Sequence, residues 1–298
     1  MSGQSDPMGQ SGLAGQSDPT GQSGRGVPGA AAAGSPTSRA IARANAEGRA
    51  ALISYLPYGF PDHEGSVDAV KALIDAGVDV VELGIPYSDP VMDGPVIEDA
   101  SIRALAAGAT VDGLFRAVEA LAPLGVPILP MTYYNLVFHR GVEKFAADLA
   151  QAGGAGLVTP DLIPDEAGEW LEASDAHGLD RVFLVAPTTT NERLALTVGA
   201  CRGFTYVTST MGVTGERTSL SGRAKALARR AEAAGADHAC VGIGISRPEH
   251  AAEVAQFADG VIVGSAFVRR LADAPNPAAA RTALAELAGA LRAAAVRG

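Results

Sequence analysis

The chain has 298 residues, 47% of them hydrophobic, and a formal net charge of −10. No apolar run approaches the roughly 20 residues needed to span a bilayer, and the polar, Gly-rich start lacks the basic and apolar regions of a secretory signal. Composition therefore predicts a globular, cytoplasmic protein and excludes a membrane span; the acidity also excludes a nucleic-acid footprint, so an anionic ligand would need a local site of oriented backbone amides.

Residues 1–40 carry the phrase Gly3-Gln4-Ser5-Asp6-Pro7 and its copy Gly15-Gln16-Ser17-Asp18-Pro19, followed by a Gly/Ala/Pro-rich stretch. Such composition buries too little apolar surface to offset chain entropy, and predicts a disordered low-complexity extension with no chemistry. Two short copies without hydrophobic periodicity do not make a solenoid. Residues 41–298 are expected to form one domain, the usual size of an eight-fold β/α barrel.

Along that domain, short β-rich runs alternate with helical stretches. The runs are Leu52–Leu56, Val80–Leu83, Pro127–Met131, Gly156–Thr159, Val182–Val185, Phe204–Thr208, Ala239–Ile243 and Val261–Val263. Alternation of this kind predicts a parallel sheet. The strand count, and the lack of a Gly-x-Gly-x-x-Gly fingerprint after the first strand, favour a closed (β/α)8 TIM barrel over an open doubly wound sheet. Helix punctuation includes Ser66 ahead of Val67, Val70 and Ile74 with Gly77 closing, and Thr189 with Glu192 as a capping box.

In such barrels chemistry sits at the carboxyl ends of the strands. Glu82 interrupts the apolar run Val80-Val81-Glu82-Leu83-Gly84, where a carboxylate must be paired, hydrated or retained for function. Near apolar walls its pKa would rise, which suits acid/base work near neutrality; pairing with a nearby arginine is the other reading. Asp93 lies in the proline-rich loop from Pro86 to Pro95, the kind of segment that carries function on a rigid scaffold. Asp89 in the same loop reads first as a capping or loop-fixing residue.

Three glycine-rich strand ends follow: Gly212-Val213-Thr214-Gly215, Gly242-Ile243-Gly244-Ile245-Ser246 and Gly264-Ser265-Ala266. Glycine lets backbone amides approach an anion, and a helix beginning after Gly264-Ser265 would aim its positive end at a phosphate. The last two follow the seventh and eighth strands, where many barrels hold phosphate. Lys71, Lys144 and Lys225 are the only lysines and fall in outer helices, which leaves no strand-end amine for a Schiff base. His63, His139, His177, His238 and His250 lack paired ligand spacing, so no metal is expected, and each reads as a solvated histidine. Cys201 and Cys240 read as ordinary thiols in or near the core, and Trp170 and the Leu284, Leu287, Leu291 stripe as packing.

The phrases Glu82-Leu83-Gly84-Ile85-Pro86-Tyr87-Ser88-Asp89-Pro90 and Asp93-Gly94-Pro95 closely resemble the signature of tryptophan synthase alpha subunits. The resemblance continues through Met131-Thr132-Tyr133-Tyr134-Asn135, Asp161 and the three glycine-rich strand ends, covering residues 41 onward. It implies a lyase of tryptophan biosynthesis that splits indole-3-glycerol phosphate into indole and glyceraldehyde 3-phosphate. Glu82 and Asp93 match the family's catalytic carboxylates, Glu82 as the proton shuttle and Asp93 as the holder of the indole N–H. Tyr55, Met131, Tyr133 and Tyr206 would line the indole pocket, and Gly215, Gly244, Gly264 and Ser265 would bind phosphate.

The resemblance further implies a tryptophan synthase beta subunit as partner, in an alpha2-beta2 heterotetramer, with pyridoxal phosphate in that partner and no cofactor in this chain. Asp89 and Thr214, the latter within a lid at Ser209–Ser219, would couple closure to the partner. Met92, beside Asp93, and Thr210-Met211 in the lid depart from the commonest family form, which bears on loop closure rather than on the chemistry. Arg217 and Arg247 sit close to the phosphate loops, where a solvated role is the plainer reading. Three other readings are a stand-alone lyase releasing free indole, a non-catalytic phosphate sensor, and another phosphate-binding isomerase barrel. A sensor would need neither Glu82 nor Asp93, and the phrase from Glu82 to Pro95 disfavours the isomerase.

Overall fold

A computed structural model describes residues 34–208, 217–242 and 244–298. The strands are β1 (Ala51–Pro57), β2 (Val80–Gly84), β3 (Ile128–Met131), β4 (Gly156–Thr159), β5 (Asp180–Val185), β6 (Thr205–Thr208), β7 (Ala239–Gly242) and β8 (Gly260–Val263). They form a closed barrel in chain order, every pair parallel, with β8 returning to β1. Each predicted run coincides with one strand, and Ile243 lies outside the described residues. The TIM barrel expected from the alternation is the observed fold.

The first six helices are α1 (Pro36–Ala46), α2 (His63–Asp75), α3 (Pro95–Ala106), α4 (Val111–Leu121), α5 (Tyr134–Arg140) and α6 (Val142–Gln151). Next come α7 (Gly168–Ala176), α8 (Asn191–Ala200), α9 (Arg217–Ala233), α10 (Pro248–Ala255), α11 (Ser265–Ala272) and α12 (Pro277–Ala294). Among the described residues no helix is long and apolar enough to cross a membrane.

The period-2 alternation of each strand splits the apolar residues between two cores. One set, including Leu52, Leu56, Val81, Leu83, Val261 and Val263, packs outward under the helices with Trp170, Leu284, Leu287 and Leu291. The other set, including Ile53, Val80, Leu129, Val158, Val182, Phe204 and Ile262, fills the barrel interior. Because Glu82 lies two residues beyond Val80, it inherits the inward face. The packing roles expected for Trp170 and the leucine stripe are those observed.

Helix α1 begins at Pro36, ahead of residue 41. Ser35 caps α1 by accepting from the Ser38 N–H, Pro36 occupies the first turn, and Ala40, Ile41 and Ala44 join the interior core at the amino end of the barrel. Asp180, fully buried at the start of β5, accepts from the Thr37 N–H at 3.4 Å, fastening that helix across the base. Arg49 reaches Asp79 through two bonds of 2.5 and 2.8 Å beside it. The duplicated phrase lies outside the described residues.

Helix punctuation differs in two places. Asp62, not Ser66, caps α2 by accepting from the Gly65 N–H; Ser66 is already inside the helix and bonds the His63 carbonyl. Gly77 does follow the helix end with φ 92°, a conformation that favours glycine. Thr190, one residue beyond Thr189, caps α8, while Thr189 accepts from the Ala186 N–H. His238 is not a freely solvated residue: its Nε2 lies 3.1 Å from Ser38 Oγ, and burial lowers its pKa despite Asp259 and Asp237 nearby.

Candidate active site

The carboxyl ends of the strands gather most of the candidate residues. Tyr55 on β1 is directly opposite Glu82 on β2, and Glu82 is opposite Leu129 on β3. Glu82 is fully buried, and neither of its carboxylate oxygens has a hydrogen-bond partner among the described residues. Among the described residues no arginine pairs with it. Desolvation pushes its pKa up to about 8, so the group is protonated near neutrality yet able to give up that proton.

Tyrosines form the walls around it. The Tyr55 hydroxyl occupies the space a side chain at Gly84 would need, and its ring lies 3.3 Å from where a Cβ on Gly264 would stand. Similarly, a Cβ on Gly242 would come within 2.6 Å of the Tyr206 hydroxyl. These strand-end glycines thus leave room for aromatic rings inside the mouth. Burial raises the pKa of both phenols, and the charge of Glu82 raises both further. Met131 ends β3 opposite Gly84 and is half-buried.

Asp93 enters from above, in the stretch between β2 and α3. Burial and the charge of Glu98 raise its pKa, and its own charge acts on Tyr55 and Tyr133. Tyr133 is buried and its hydroxyl accepts from the N–H groups of Val91 and Met92, both at 3.0 Å. Its ring packs on Tyr87, centroids 4.8 Å apart. Asp89 is exposed and accepts from the Ser88 hydroxyl at 2.5 Å, a loop-fixing contact.

Of the phosphate candidates, Gly264 and Ser265 stand where β8 gives way to the first turn of α11. Gly244 is exposed with φ 70°, beyond the end of β7. Thr214, Gly215, Thr210 and Met211 lie outside the described residues. Arg247 is exposed and approaches His250 Nε2 at 3.0 Å. Lys71, Lys144 and Lys225 fall on α2, α6 and α9. Among the described residues no group of three or more His, Cys, Asp or Glu could hold a metal ion.

The sequence alone assigns no separate role to Tyr87, Asn135 or Asp161. In the fold, Asp161 beyond β4 accepts the Tyr134 N–H through both oxygens, at 2.9 and 3.1 Å, and Asn135 Nδ2 donates to the Tyr87 hydroxyl at 2.9 Å. In the sequence Asp161 enters only through the family resemblance, and nothing there shows which helix it reaches.

Comparison with known proteins gives a consistent picture. Residues 41–296 match the family model described as tryptophan synthase alpha chain. The tryptophan synthase alpha chain of Acidothermus cellulolyticus is 55% identical over 255 residues, covering 85% of this chain and 96% of that protein. That of Thermobifida fusca is 53% identical over 264 residues, covering 86% and 98%. Among solved structures, Mycobacterium tuberculosis tryptophan synthase superposes with a TM-score of 0.82 at 48% identity, over 89% of this chain and 99% of that one. The alpha subunit from Legionella pneumophila gives 0.79 at 32% identity, over 87% and 98%.

Proposed function

The chain belongs to the tryptophan synthase alpha chain family, and from that premise we propose that Glu82 and Asp93 carry its reaction. The protein is a lyase of tryptophan biosynthesis that cleaves indole-3-glycerol phosphate into indole and glyceraldehyde 3-phosphate. The observation that supports these two residues is the state of Glu82: a buried carboxyl without a partner among the described residues, held near pKa 8 on the inner wall of the mouth, with Asp93 descending from the loop above.

Each group follows its environment. Protonated Glu82 delivers its proton to the indole carbon bearing the glycerol phosphate chain, which leaves positive charge spread onto the ring nitrogen. Asp93, as carboxylate, accepts the indole N–H and stabilises that charge as it develops. The carboxylate now left on Glu82 takes the proton of the adjacent side-chain hydroxyl. The carbon–carbon bond breaks, its electron pair restores the aromatic ring, and the hydroxyl carbon becomes the aldehyde. Glu82 thus ends the cycle protonated, as it began.

Tyr55, Met131, Tyr133 and Tyr206 form the indole pocket in this reading, and burial of the ring among them favours protonation by keeping water off Glu82. The phosphate rests on the backbone of Gly244, Gly264 and Ser265 at the start of α11, joined by Gly215. Asp89 and Thr214 serve loop closure toward the partner. Residues 1–40 remain assigned as an extension outside the catalytic domain, apart from the α1 turns already placed in the barrel base.

The partner is a tryptophan synthase beta subunit, in an alpha2-beta2 assembly, and pyridoxal phosphate resides there rather than in this chain. In support, Val91, Met92, Phe138 and Ile163 expose apolar side chains on the loops and short helices around the mouth. The assembly works in the cytoplasm. The test is indole release from indole-3-glycerol phosphate by the purified chain, with and without a beta subunit. Slow release alone, rising steeply with the partner, fits this reading; fast release alone points to the stand-alone lyase, and none in either condition removes the assigned substrate.

A further inference from the structure

The stretch from Pro86 to Gly94 has no helix or strand of its own, yet it must bring Asp93 to one place above Glu82. Its outer part is open to solvent, with Val91 80% and Met92 42% exposed. Burial of side chains in that outer part therefore does not hold it. What does hold it is Tyr133, whose phenol oxygen receives the two consecutive N–H groups immediately before Asp93, each at 3.0 Å. A phenol oxygen has lone pairs for both, and two bonds to adjacent amides fix the plane of the backbone as well as its position.

Tyr133 is itself anchored from several sides. Its ring is buried and packs on Tyr87 at the other end of the loop, and Asn135 Nδ2 holds the Tyr87 hydroxyl at 2.9 Å. Tyr133 stands at the entry of α5, and the first amide of that helix, Tyr134 N–H, is gripped by both oxygens of Asp161 from beyond β4. The result is a strut from the β4 end, through the start of α5, to the backbone that carries Asp93.

We propose that the Tyr133 hydroxyl is a positioning group for the reaction: through Val91 and Met92 it sets where the Asp93 carboxylate meets the indole N–H. This rests on the assignment of Asp93 above and gives Tyr133 a task distinct from contributing a pocket wall. A Phe at this position keeps the ring and its packing on Tyr87 but removes the acceptor for two amides. Because Asp93 acts most strongly on charge that appears only in the transition state, its misplacement lowers kcat more than it raises KM.

The test compares four proteins: the parent, Tyr133→Phe, Asp93→Asn and the double variant, each as the full chain with its beta subunit. Tyr133→Phe is expected to lose on the order of 10- to 100-fold in kcat with little change in KM, as for other small displacements of a reacting group. Hydrogen exchange at Val91 and Met92 is expected to quicken, and in the Asp93→Asn background the added Tyr133→Phe loss is expected to vanish. Full kcat in Tyr133→Phe, or an equal loss in both backgrounds, overturns the inference even if Asp93→Asn is slow. Asp93→Asn at the parental rate instead removes the assignment on which it rests.

Discussion

Tyr55 and Glu82 stand directly opposite each other across the β1–β2 pair, and burial, followed by the charges of Asp93 and Glu82, makes the phenol harder to ionise. Neither finds a hydrogen-bonding solution in the other: both Glu82 oxygens are without partners among the described residues. A buried polar group in that condition carries a free-energy cost that the fold must offset elsewhere. Such a cost is expected where the unsatisfied group is reserved for a substrate.

Replacing Glu82 by Gln retains shape and burial while removing the transferable proton. Turnover is expected to fall by about 100- to 10,000-fold, the usual contribution of a positioned acid or base. Steady-state indole release, paired with binding of an unreactive substrate analogue, separates the two effects. Near-normal turnover would sink the assigned role.

The same substitution should change stability in a pH-dependent way. The native Glu82 carboxyl titrates at about 8, against an ordinary value of 4.5. Between those values the folded protein holds a proton that the unfolded chain has released, so this group makes stability fall as pH rises. The slope is at most about 1.4 kcal/mol per pH unit for one proton, and it levels off above about pH 8, where both states are ionised. Urea unfolding of Glu82→Gln should therefore show a stability gain over the parent at pH 8 to 9 that shrinks toward pH 4.5. A difference between the two proteins that ignores pH would contradict the raised pKa.

Asp93→Asn weakens the stabilisation of charge on the indole ring, since a neutral amide still accepts the N–H but carries no charge. A loss on the order of 100-fold in kcat is expected, with KM changing far less. Matching rates in variant and parent would reassign the indole N–H to another acceptor.

Gly84→Ala places a methyl group where the Tyr55 hydroxyl lies. The expected result is a destabilisation of about 1–3 kcal/mol together with a rise in KM, as the phenol is driven into the indole pocket. Gly289→Ala is the contrasting case: within α12, its new methyl meets nothing within 4 Å. That change should stabilise by about 0.5–1 kcal/mol through helix propensity. Thermal unfolding of the two variants side by side distinguishes close packing from a general intolerance of alanine.

The strands were legible because each is a short apolar run between helical stretches, and Glu82 stood out because an acid in Val-Val-Glu-Leu must be paired, hydrated or retained for function. Other features were hidden for definite reasons. The start of α1 lies in Gly/Ala/Pro-rich sequence, and its anchor, Asp180, is 143 residues away from Thr37. Thr189 and Thr190 are the same residue type, so choosing between them as the cap of α8 depends on backbone angles that sequence does not display. The task of Tyr133 was obscured because its partners are backbone amides, which any residues at 91 and 92 would provide.

Helix α1 seals the foot of the barrel, with its apolar face joined to the interior core and Asp180 fastening its first turn. Among the described residues that end is closed by packing, and the rim that holds Asp93 stands at the opposite one. Where indole goes is then decided by whatever stands outside: an uncovered rim releases it to bulk water, and a docked neighbour with an apolar passage receives it directly.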